Sequence, residues 1–244
     1  MNLFVPKNND QKVLNEFLNM PLNSSKEIME KFLTLPNAKA YYGEGEKQNF
    51  VFVPKKNAIV TIVAHADTVF NSNEKLELLE DNGKVFSGNT LVGIGADDRA
   101  GCAICWLLKN EPVNILITDG EEIGLIGSAY LKNNFPKVLN EINKSKFVLQ
   151  FDRKNGNEFK TYDINVTAEF KTLIQNHYGF VQTFGSGKTD IVNLCQSING
   201  ANLSVGYYNP HTADEYLVLN EWQNVLNKTR TLLKKWHIKA TFNI

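Results

Sequence analysis

The stretch AIVTIVAHAD, residues 58–67, decides the fold. Its first seven residues are apolar apart from one threonine and rich in β-branched side chains, which is typical of a strand buried on both faces. His65 and Asp67 follow directly, where the strand should end. A buried strand that stops at such residues indicates an α/β protein with polar groups gathered at one edge of its sheet.

Outward from this stretch, apolar runs alternate with helical patterns. Strands are predicted at residues 51–53, 58–64, 113–118, 146–151 and 201–207. Helices are predicted at residues 9–19, 98–109, 127–133, 166–178 and 220–236. The alternation predicts the α/β class, as a three-layer α/β/α sandwich with a mainly parallel mixed sheet. No repeat or linker divides the chain, so we expect residues 1–244 to form a single domain.

The composition excludes several classes of partner. Lys+Arg and Asp+Glu each number 26 among 244 residues, so the formal net charge is zero. Without a basic excess we expect no nucleic acid partner, and without an apolar run of roughly 20 residues we expect no membrane partner. The three cysteines are too few for a disulfide framework, and the amino terminus lacks the pattern of a secretory signal. These features predict a cytoplasmic location.

Residues 70–90 interrupt the alternation of strands and helices. The segment is polar and irregular, with a turn signal at Asn82-Gly83. We expect it to lie on the surface near the site, as a hairpin or flap.

Acidic residues and histidines, the side chains that commonly bind metals, lie where the apolar runs end. They are His65, Asp67, Asp97, Glu121, Glu122, Asp152 and His211. In open α/β sheets the ligand site lies outside the carboxyl ends of the strands, so these residues should converge on one crevice.

Each of these motifs has a structural interpretation when taken alone. A single His-x-Asp is more often an ordinary loop, Asp98 is best interpreted as a helix cap, and Glu121-Glu122 could be a solvated acidic loop. Together they are harder to explain, because several carboxylates at one sheet edge repel one another unless cations offset them. The two histidines favour zinc over calcium or magnesium, with cobalt or manganese as further candidates.

The motifs resemble those of the co-catalytic di-zinc exopeptidases, the group that contains the peptidase T and vibrio-type leucyl aminopeptidase families. The matching segments are HADTV (65–69), GADDRAG (95–101), DGEEIG (119–124), FD (151–152), GKTD (187–190) and NPHTADEY (209–216). Their order along the chain matches as well. The resemblance implies a zinc-exopeptidase-like fold and a catalytic metallopeptidase domain.

The resemblance also implies a role for each residue. His65 and Asp152 would hold one of two divalent metal ions, Glu122 and His211 would hold the other, and Asp97 would bridge them. Glu121 would be the general base. Asp67 would orient His65, and the Asp97–Asp98 peptide bond would be cis.

The chain also departs from the peptidase T pattern. Those relatives insert a lid domain between the aspartate ligand and the final histidine, but fewer than about sixty residues separate Asp152 from His211, too few for a second domain. We therefore expect no lid. Arg153, directly after a ligand, could meet a substrate carboxylate or lie on the surface.

Three functions fit these features. The first is a metal-dependent aminopeptidase or di/tripeptidase that acts on a small peptide. The second is an amidohydrolase that removes the acyl group of an N-acyl amino acid with the same site. The third is a catalytically inactive binding module, which the filled ligand and base positions disfavour. The sequence declares neither the substrate nor the oligomeric state.

Overall fold

A computed structural model describes residues 2–73 and 76–235. The strands are β1 Asn2–Leu3, β2 Lys39–Tyr42, β3 Asn49–Val53, β4 Val60–His65, β5 Leu78–Asp81, β6 Lys84–Ser87, β7 Val113–Thr118, β8 Phe147–Arg153, β9 Glu158–Lys160, β10 Val181–Gln182, β11 Asn199–Ser204, β12 Tyr207–Tyr208 and β13 Tyr216–Val218. The helices are α1 Asn9–Leu18, α2 Lys26–Leu33, α3 Ala96–Leu107, α4 Ile126–Asn134, α5 Pro136–Asn143, α6 Ala168–Tyr178, α7 Ile191–Leu194 and α8 Leu219–Lys235.

The main sheet has eight strands in the order β10-β9-β11-β8-β4-β7-β3-β2. Its central strands β11, β8, β4 and β7 pair in parallel. Antiparallel pairing occurs on both flanks, between β11 and β9 and among β7, β3 and β2. The carboxyl ends of the four central strands therefore meet at one edge, which is where the predicted site residues follow.

Helices cover both faces of this sheet because successive strand residues point to opposite sides. In β4, Ile62 and Ala64 belong to one apolar cluster, whereas Val63 belongs to the other. The first cluster receives side chains from α1, α2, α3, α6 and α8, and the second from α4, α5 and α7. The predicted three-layer sandwich with a mixed sheet is confirmed.

The predicted elements agree with the structure to within a few residues at their ends. The last helix was expected to reach Trp236, which lies outside the described residues. The apolar run at 201–207 divides into β11 and β12, because the chain turns at Gly206, where φ is 91°. Several short elements carried no sequence pattern that we recognised: β1, β2, β9, β10, β13, α5 and α7.

A second, antiparallel sheet explains residues 70–90. The predicted hairpin exists as β5 and β6, with Asn82 and Gly83 at its turn in left-handed conformations. It is part of a five-stranded sheet in the order β1-β5-β6-β13-β12. Because β13 begins five residues after His211, the hairpin is joined by backbone pairing to the segment that carries that histidine.

Residues 153–210 complete the main sheet and its helices and form no separate lid. They contribute β9, β10 and β11 to the main sheet and pack α6 and α7 on its two faces. Among the residues that the structure describes, no helix combines the length and apolar character that a membrane-spanning segment requires.

Candidate metal centre

The structure brings the five predicted metal ligands together. His65, Asp97 and Asp152 form one group, and Asp97, Glu122 and His211 form another, with the ligand atoms of each group within 4.8 Å of one another. These groups could each hold a metal ion. Asp97 belongs to both, as expected for a bridging carboxylate.

The two histidines face the two oxygens of Asp97 separately. His65 Nε2 lies 3.2 Å from Asp97 Oδ1 and 3.3 Å from Asp152 Oδ1. His211 Nε2 lies 3.2 Å from Asp97 Oδ2 and 3.0 Å from Glu122 Oε1. Each imidazole nitrogen thus meets two carboxylate oxygens, and one oxygen of each pair comes from the shared aspartate.

The chain reaches Asp97 through an unusual backbone. Gly95 has a φ of 61°, and the Asp97–Asp98 peptide bond is cis, which confirms the expectation from the resemblance. Asp98 is fully buried; its Oδ1 accepts the Gly101 N–H at 3.0 Å and its Oδ2 accepts the His65 N–H at 3.1 Å. Because Asp97 and Asp98 have non-helical backbone angles, Asp98 caps the regular part of α3 that follows them, as predicted, and also joins that helix to the end of β4.

Asp67 holds three parts of the site in place. One carboxylate oxygen lies 3.4 Å from His65 Nδ1, and its backbone carbonyl oxygen lies 3.1 Å from the same nitrogen. The carboxylate also accepts the backbone N–H groups of Glu121 and Glu122 at 3.1 and 3.4 Å. Asp67 thus faces His65 as predicted, and it also anchors the Glu121-Glu122 loop, which we did not foresee.

Asp152 is fixed by three side chains that the sequence analysis missed. Its Oδ2 accepts hydrogen bonds from Thr189 Oγ1 at 2.7 Å and Gln150 Nε2 at 3.1 Å, and its Oδ1 accepts one from Tyr207 Oη at 3.3 Å. Thr189 belongs to the GKTD segment, whose resemblance to the family was the available signal for it. Gln150 could have been found as a polar residue inside an apolar strand.

The pKa values reflect carboxylates crowded into a buried space. Burial and the nearby Asp152 charge raise the pKa of Glu121 to about 9. Burial also raises the pKa of Asp152 to about 7, against the pull of His65. Hydrogen bonds to Asp97 and Glu122 raise the pKa of His211 to about 10. A site of this kind favours additional positive charge, whether it comes from protons or from metal ions.

Glu215 supports the backbone that carries Asp97. This carboxylate is fully buried, and burial raises its pKa to about 8. Its Oε2 accepts the Gly95 N–H at 2.6 Å and its Oε1 accepts the Asp97 N–H at 3.0 Å. The sequence analysis quoted Glu215 in NPHTADEY but assigned it no role.

Arg153 is committed to another residue. Its Nε and Nη2 donate to Glu158 Oε2 at 3.1 and 2.6 Å, and its side chain is 17% exposed. The sequence left two alternatives for Arg153, contact with a substrate carboxylate or a position on the surface. The structure shows neither, because the side chain is mostly buried in an ion pair with Glu158.

Comparison with known proteins identifies the family and the fold of the chain. Residues 50–179 match the model of peptidase family M28, a segment that ends before His211 and Glu215. The chain is similar in structure to the aminopeptidase PepT from Bacillus cereus, with a TM-score of 0.70 at 14% identity over 94% of this chain and 99% of that one. It is similar to a tripeptidase from Staphylococcus aureus, with a TM-score of 0.67 at 16% identity over 93% and 98%. It is also similar to an aminopeptidase from Desulfurococcus kamchatkensis, with a TM-score of 0.62 at 11% identity over 93% and 95%. No match was found among curated protein sequences.

Proposed function

Because the chain belongs to peptidase family M28, we propose that it is a metal-dependent exopeptidase, an aminopeptidase or a di- or tripeptidase. The family makes the chain a metallopeptidase, and its fold is that of co-catalytic zinc exopeptidases. One observation carries the rest of the proposal. Asp97 presents one oxygen to His65 and the other to His211, so that two cation sites would share a single carboxylate.

The donor atoms lie slightly closer together than the ligands of a zinc ion, so a small outward movement of the side chains would admit one. Zinc sites in proteins are tetrahedral with bonds of about 2.0–2.2 Å, which separates neighbouring ligand atoms by roughly 3.3–3.6 Å. The four separations between histidine nitrogens and carboxylate oxygens are 3.0–3.3 Å. One nitrogen and two oxygens at each site leave room for a water molecule or a substrate atom, as catalytic zinc sites do. Cobalt or manganese would accept similar donors.

His65, Asp97 and Asp152 would hold one ion, and Asp97, Glu122 and His211 would hold the other. When bound, the two cations would lower the pKa of a water molecule, polarise the scissile carbonyl and offset the negative charge that develops on its oxygen.

Glu121 is the proposed general base. Its carboxyl group is close enough to Asp152, His65 and Asp97 for their charges to act on it, yet it belongs to neither group of candidate ligands. Bound cations would favour the ionised form of Glu121 over the protonated form that its raised pKa favours, and the carboxylate would then accept a proton from the attacking water and donate it to the leaving nitrogen. Asp67 would keep this base in position, because it accepts the Glu121 N–H at 3.1 Å while it also faces His65.

Residues 1–244 are proposed to act as one catalytic domain, since the described part of the chain contributes strands from both its amino- and carboxyl-terminal halves to the two sheets. A cytoplasmic location stays a prediction; the three cysteines, all buried free thiols, are compatible with it.

Metal analysis and a peptide panel would test the proposal together. We expect about two equivalents of divalent metal in the purified protein and cleavage of di- and tripeptides that have a free amino terminus. N-acyl amino acids should not be cleaved. Two equivalents of metal with cleavage of N-acyl amino acids alone would establish the deacylase instead. Metal with no cleavage of either class would leave a binding role.

A further inference from the structure

A cavity of 570 Å³ adjoins the candidate metal centre. Asp67, which faces His65, and Glu122, which faces His211, both line it, so the cavity borders the site. Its volume lies in the range of small-molecule sites, about 300–1,000 Å³. Residues 22–26, which lead into α2, also form part of its lining. A substrate bound at the metal centre would therefore have a bounded space on this side.

The lining of the cavity has an apolar part and a cationic part. Val69, Phe70 and Ile123 supply apolar surface, and the side chains of Val69 and Ile123 are 43% and 52% exposed. Exposed apolar side chains beside a catalytic centre are suited to contact an apolar part of a substrate. Lys47 adds a positive charge to the lining, with its Nζ 3.4 Å from Asp67 Oδ2.

The backbone holds Lys47 in this place. It lies in the loop between β2 and β3, where the Gly43 N–H donates to the Gln48 carbonyl oxygen at 2.7 Å. The residue itself has a φ of 55°, a left-handed conformation that lysine adopts rarely. Because β3 runs antiparallel to β7, this loop lies at the same sheet edge as Glu121 and Glu122.

Most of the acidic groups that line the cavity are already engaged. Glu122 is a candidate metal ligand, and Asp67 accepts two backbone N–H groups. Asp119 accepts hydrogen bonds from Asn49 Nδ2 at 3.1 Å and the Gly120 N–H at 3.0 Å. Glu46 is exposed, where water and salt screen its charge.

The other cation of the lining, Lys26, is less suited to bind a substrate. Its side chain is 76% exposed, and its Nζ lies 3.7 Å from Glu30 Oε1. The Lys47 side chain is 28% exposed, and its 3.4 Å contact with Asp67 is long for a charged hydrogen bond, about 2.7–2.9 Å. Lys47 is therefore the cation that a ligand in this cavity would meet.

We infer that this cavity receives the leaving half of the substrate and that Lys47 binds its free carboxylate. The inference rests on the proposed function. A peptide has a positive amino end and a negative carboxyl end, and a lysine ammonium repels the first and attracts the second. The substrate class is therefore a short amide whose leaving group is an amino acid with a free carboxylate. Dipeptides and N-acyl amino acids both release an amino acid with a free carboxylate. In a longer peptide the carboxylate would lie beyond Lys47, so the chain would have to extend past this side chain.

The test compares substrates that differ only in the carboxylate. The zinc-loaded full chain is assayed with leucylleucine and its carboxyl-terminal amide, and with N-acetylleucine and its amide. We expect the wild type to hydrolyse leucylleucine with a kcat/KM about tenfold or more above that for the amide, as for one hydrogen bond to a charged group. Lys47→Met should remove this preference. Lys39→Met, a change of an exposed lysine on β2 outside the cavity, should retain it.

The ratio separates recognition from damage to the site. Lys47→Met also removes a contact with Asp67, which could slow every substrate, but that loss would affect acid and amide alike. The inference is overturned if Lys47→Met still prefers leucylleucine to its amide, or if the wild type shows no such preference. In either case, cleavage of leucylleucine leaves the proposed function intact. Hydrolysis of N-acetylleucine alone would overturn the exopeptidase, and the acid-to-amide ratio for that substrate would then decide the inference. If the protein hydrolyses neither the peptides nor the N-acyl amino acids, both the proposed function and the inference about Lys47 fail.

Discussion

The carboxylate of Glu215 accepts the backbone N–H of Asp97 at 3.0 Å, across 118 positions of the sequence. Its other oxygen accepts the Gly95 N–H at 2.6 Å. Glu215 lies four residues after His211, so one short segment supplies a candidate ligand and also positions the residue that both metal groups share. Gly93 completes the arrangement, because a Cβ there would lie 2.7 Å from Glu215 Oε2. The segment that carries His211 and the segment that carries Asp97 are thus joined through the buried side chain of Glu215.

We expect Glu215→Gln to weaken metal binding about 10- to 100-fold, the usual cost of losing a group that orients a ligand. Glutamine has a single carbonyl oxygen and cannot accept both N–H groups, so the Asp97 backbone should lose its fixed position. Titration calorimetry on the folded, metal-free protein measures this. Glu221→Gln is the control: it removes one of the two oxygens that accept from the Tyr208 hydroxyl, and Glu221 belongs to neither metal group. Wild-type affinity in Glu215→Gln would contradict the positioning role.

Glu121→Gln should lower kcat by about 10²–10⁴-fold, since a general base contributes about that much, while about two equivalents of metal remain bound. The neighbouring change Glu122→Gln removes a candidate ligand and should lower the metal content instead. Steady-state kinetics combined with elemental analysis distinguishes the two residues. Loss of metal from Glu121→Gln, or its full activity, would show that the roles are assigned wrongly.

Removal of metal should lower the thermal stability as well as the activity. A ligand present at 1,000 times its Kd stabilises the native state by about 4 kcal/mol, and the five candidate ligands come from well-separated segments of the chain. Differential scanning calorimetry before and after chelation should show a fall in Tm that added zinc reverses. Asp97→Asn, which alters both groups, should show little response to zinc. An identical zinc response in that variant would argue for a site elsewhere.

Gly101→Ala should destabilise the fold by about 3 kcal/mol, the upper end of the usual range for overpacking of a well-packed interior. A Cβ at this position would collide with the Phe151 carbonyl oxygen and with Asp98 Oδ1. Gly83→Ala is the comparison, because Gly83 has a φ of 78° and open space around it, so the cost of about 1 kcal/mol is conformational only. Urea unfolding gives both values, and equal losses would mean that the contacts at Gly101 relax.

The ion pair between α1 and α8 should make stability depend on pH. Hydrogen bonds from Arg230 lower the pKa of Asp10 below its ordinary value of 3.8, with N–O distances of 2.7 and 2.9 Å. Because the pKa of Asp10 is lower in the folded than in the unfolded state, the ion pair contributes to the free energy of unfolding above pH 3.8. This contribution is lost as the pH falls through the pKa of Asp10 in the folded state. A double-mutant cycle of Asp10→Asn and Arg230→Gln should give about 1 kcal/mol near neutral pH. The coupling should shrink toward pH 3; a constant coupling would contradict the assignment.

Much of the centre could be predicted because its residues follow strands that the sequence marks clearly. His65 comes directly after an apolar run and Asp152 lies near the end of another, and the parallel strands β4, β7 and β8 place such positions at one edge. The cis bond at Asp97–Asp98 came from the resemblance and not from propensity.

The supporting contacts could not be predicted in this way. Thr189, Tyr207 and Glu215 act through bonds to distant segments, and no periodicity records a hydrogen bond between residues tens of positions apart. The pairing of Arg153 with Glu158 was missed for a different reason: only five residues separate the two, and the partner that a long side chain takes depends on its direction in the folded chain.

The sequence by itself determined the α/β architecture and the group of polar residues at the strand ends, because local apolar runs place strands and parallel strands bring their carboxyl ends together. The resemblance supplied the expected division of the ligands between two metals, and only the tertiary structure decided its details: Asp97 turns one oxygen to each histidine, and Asp67 also anchors Glu121. It also placed Lys47 in a cavity beside Glu122, through the turn of a hairpin. These relationships depend on side-chain directions and on packing between segments, which are set only when the whole chain has folded.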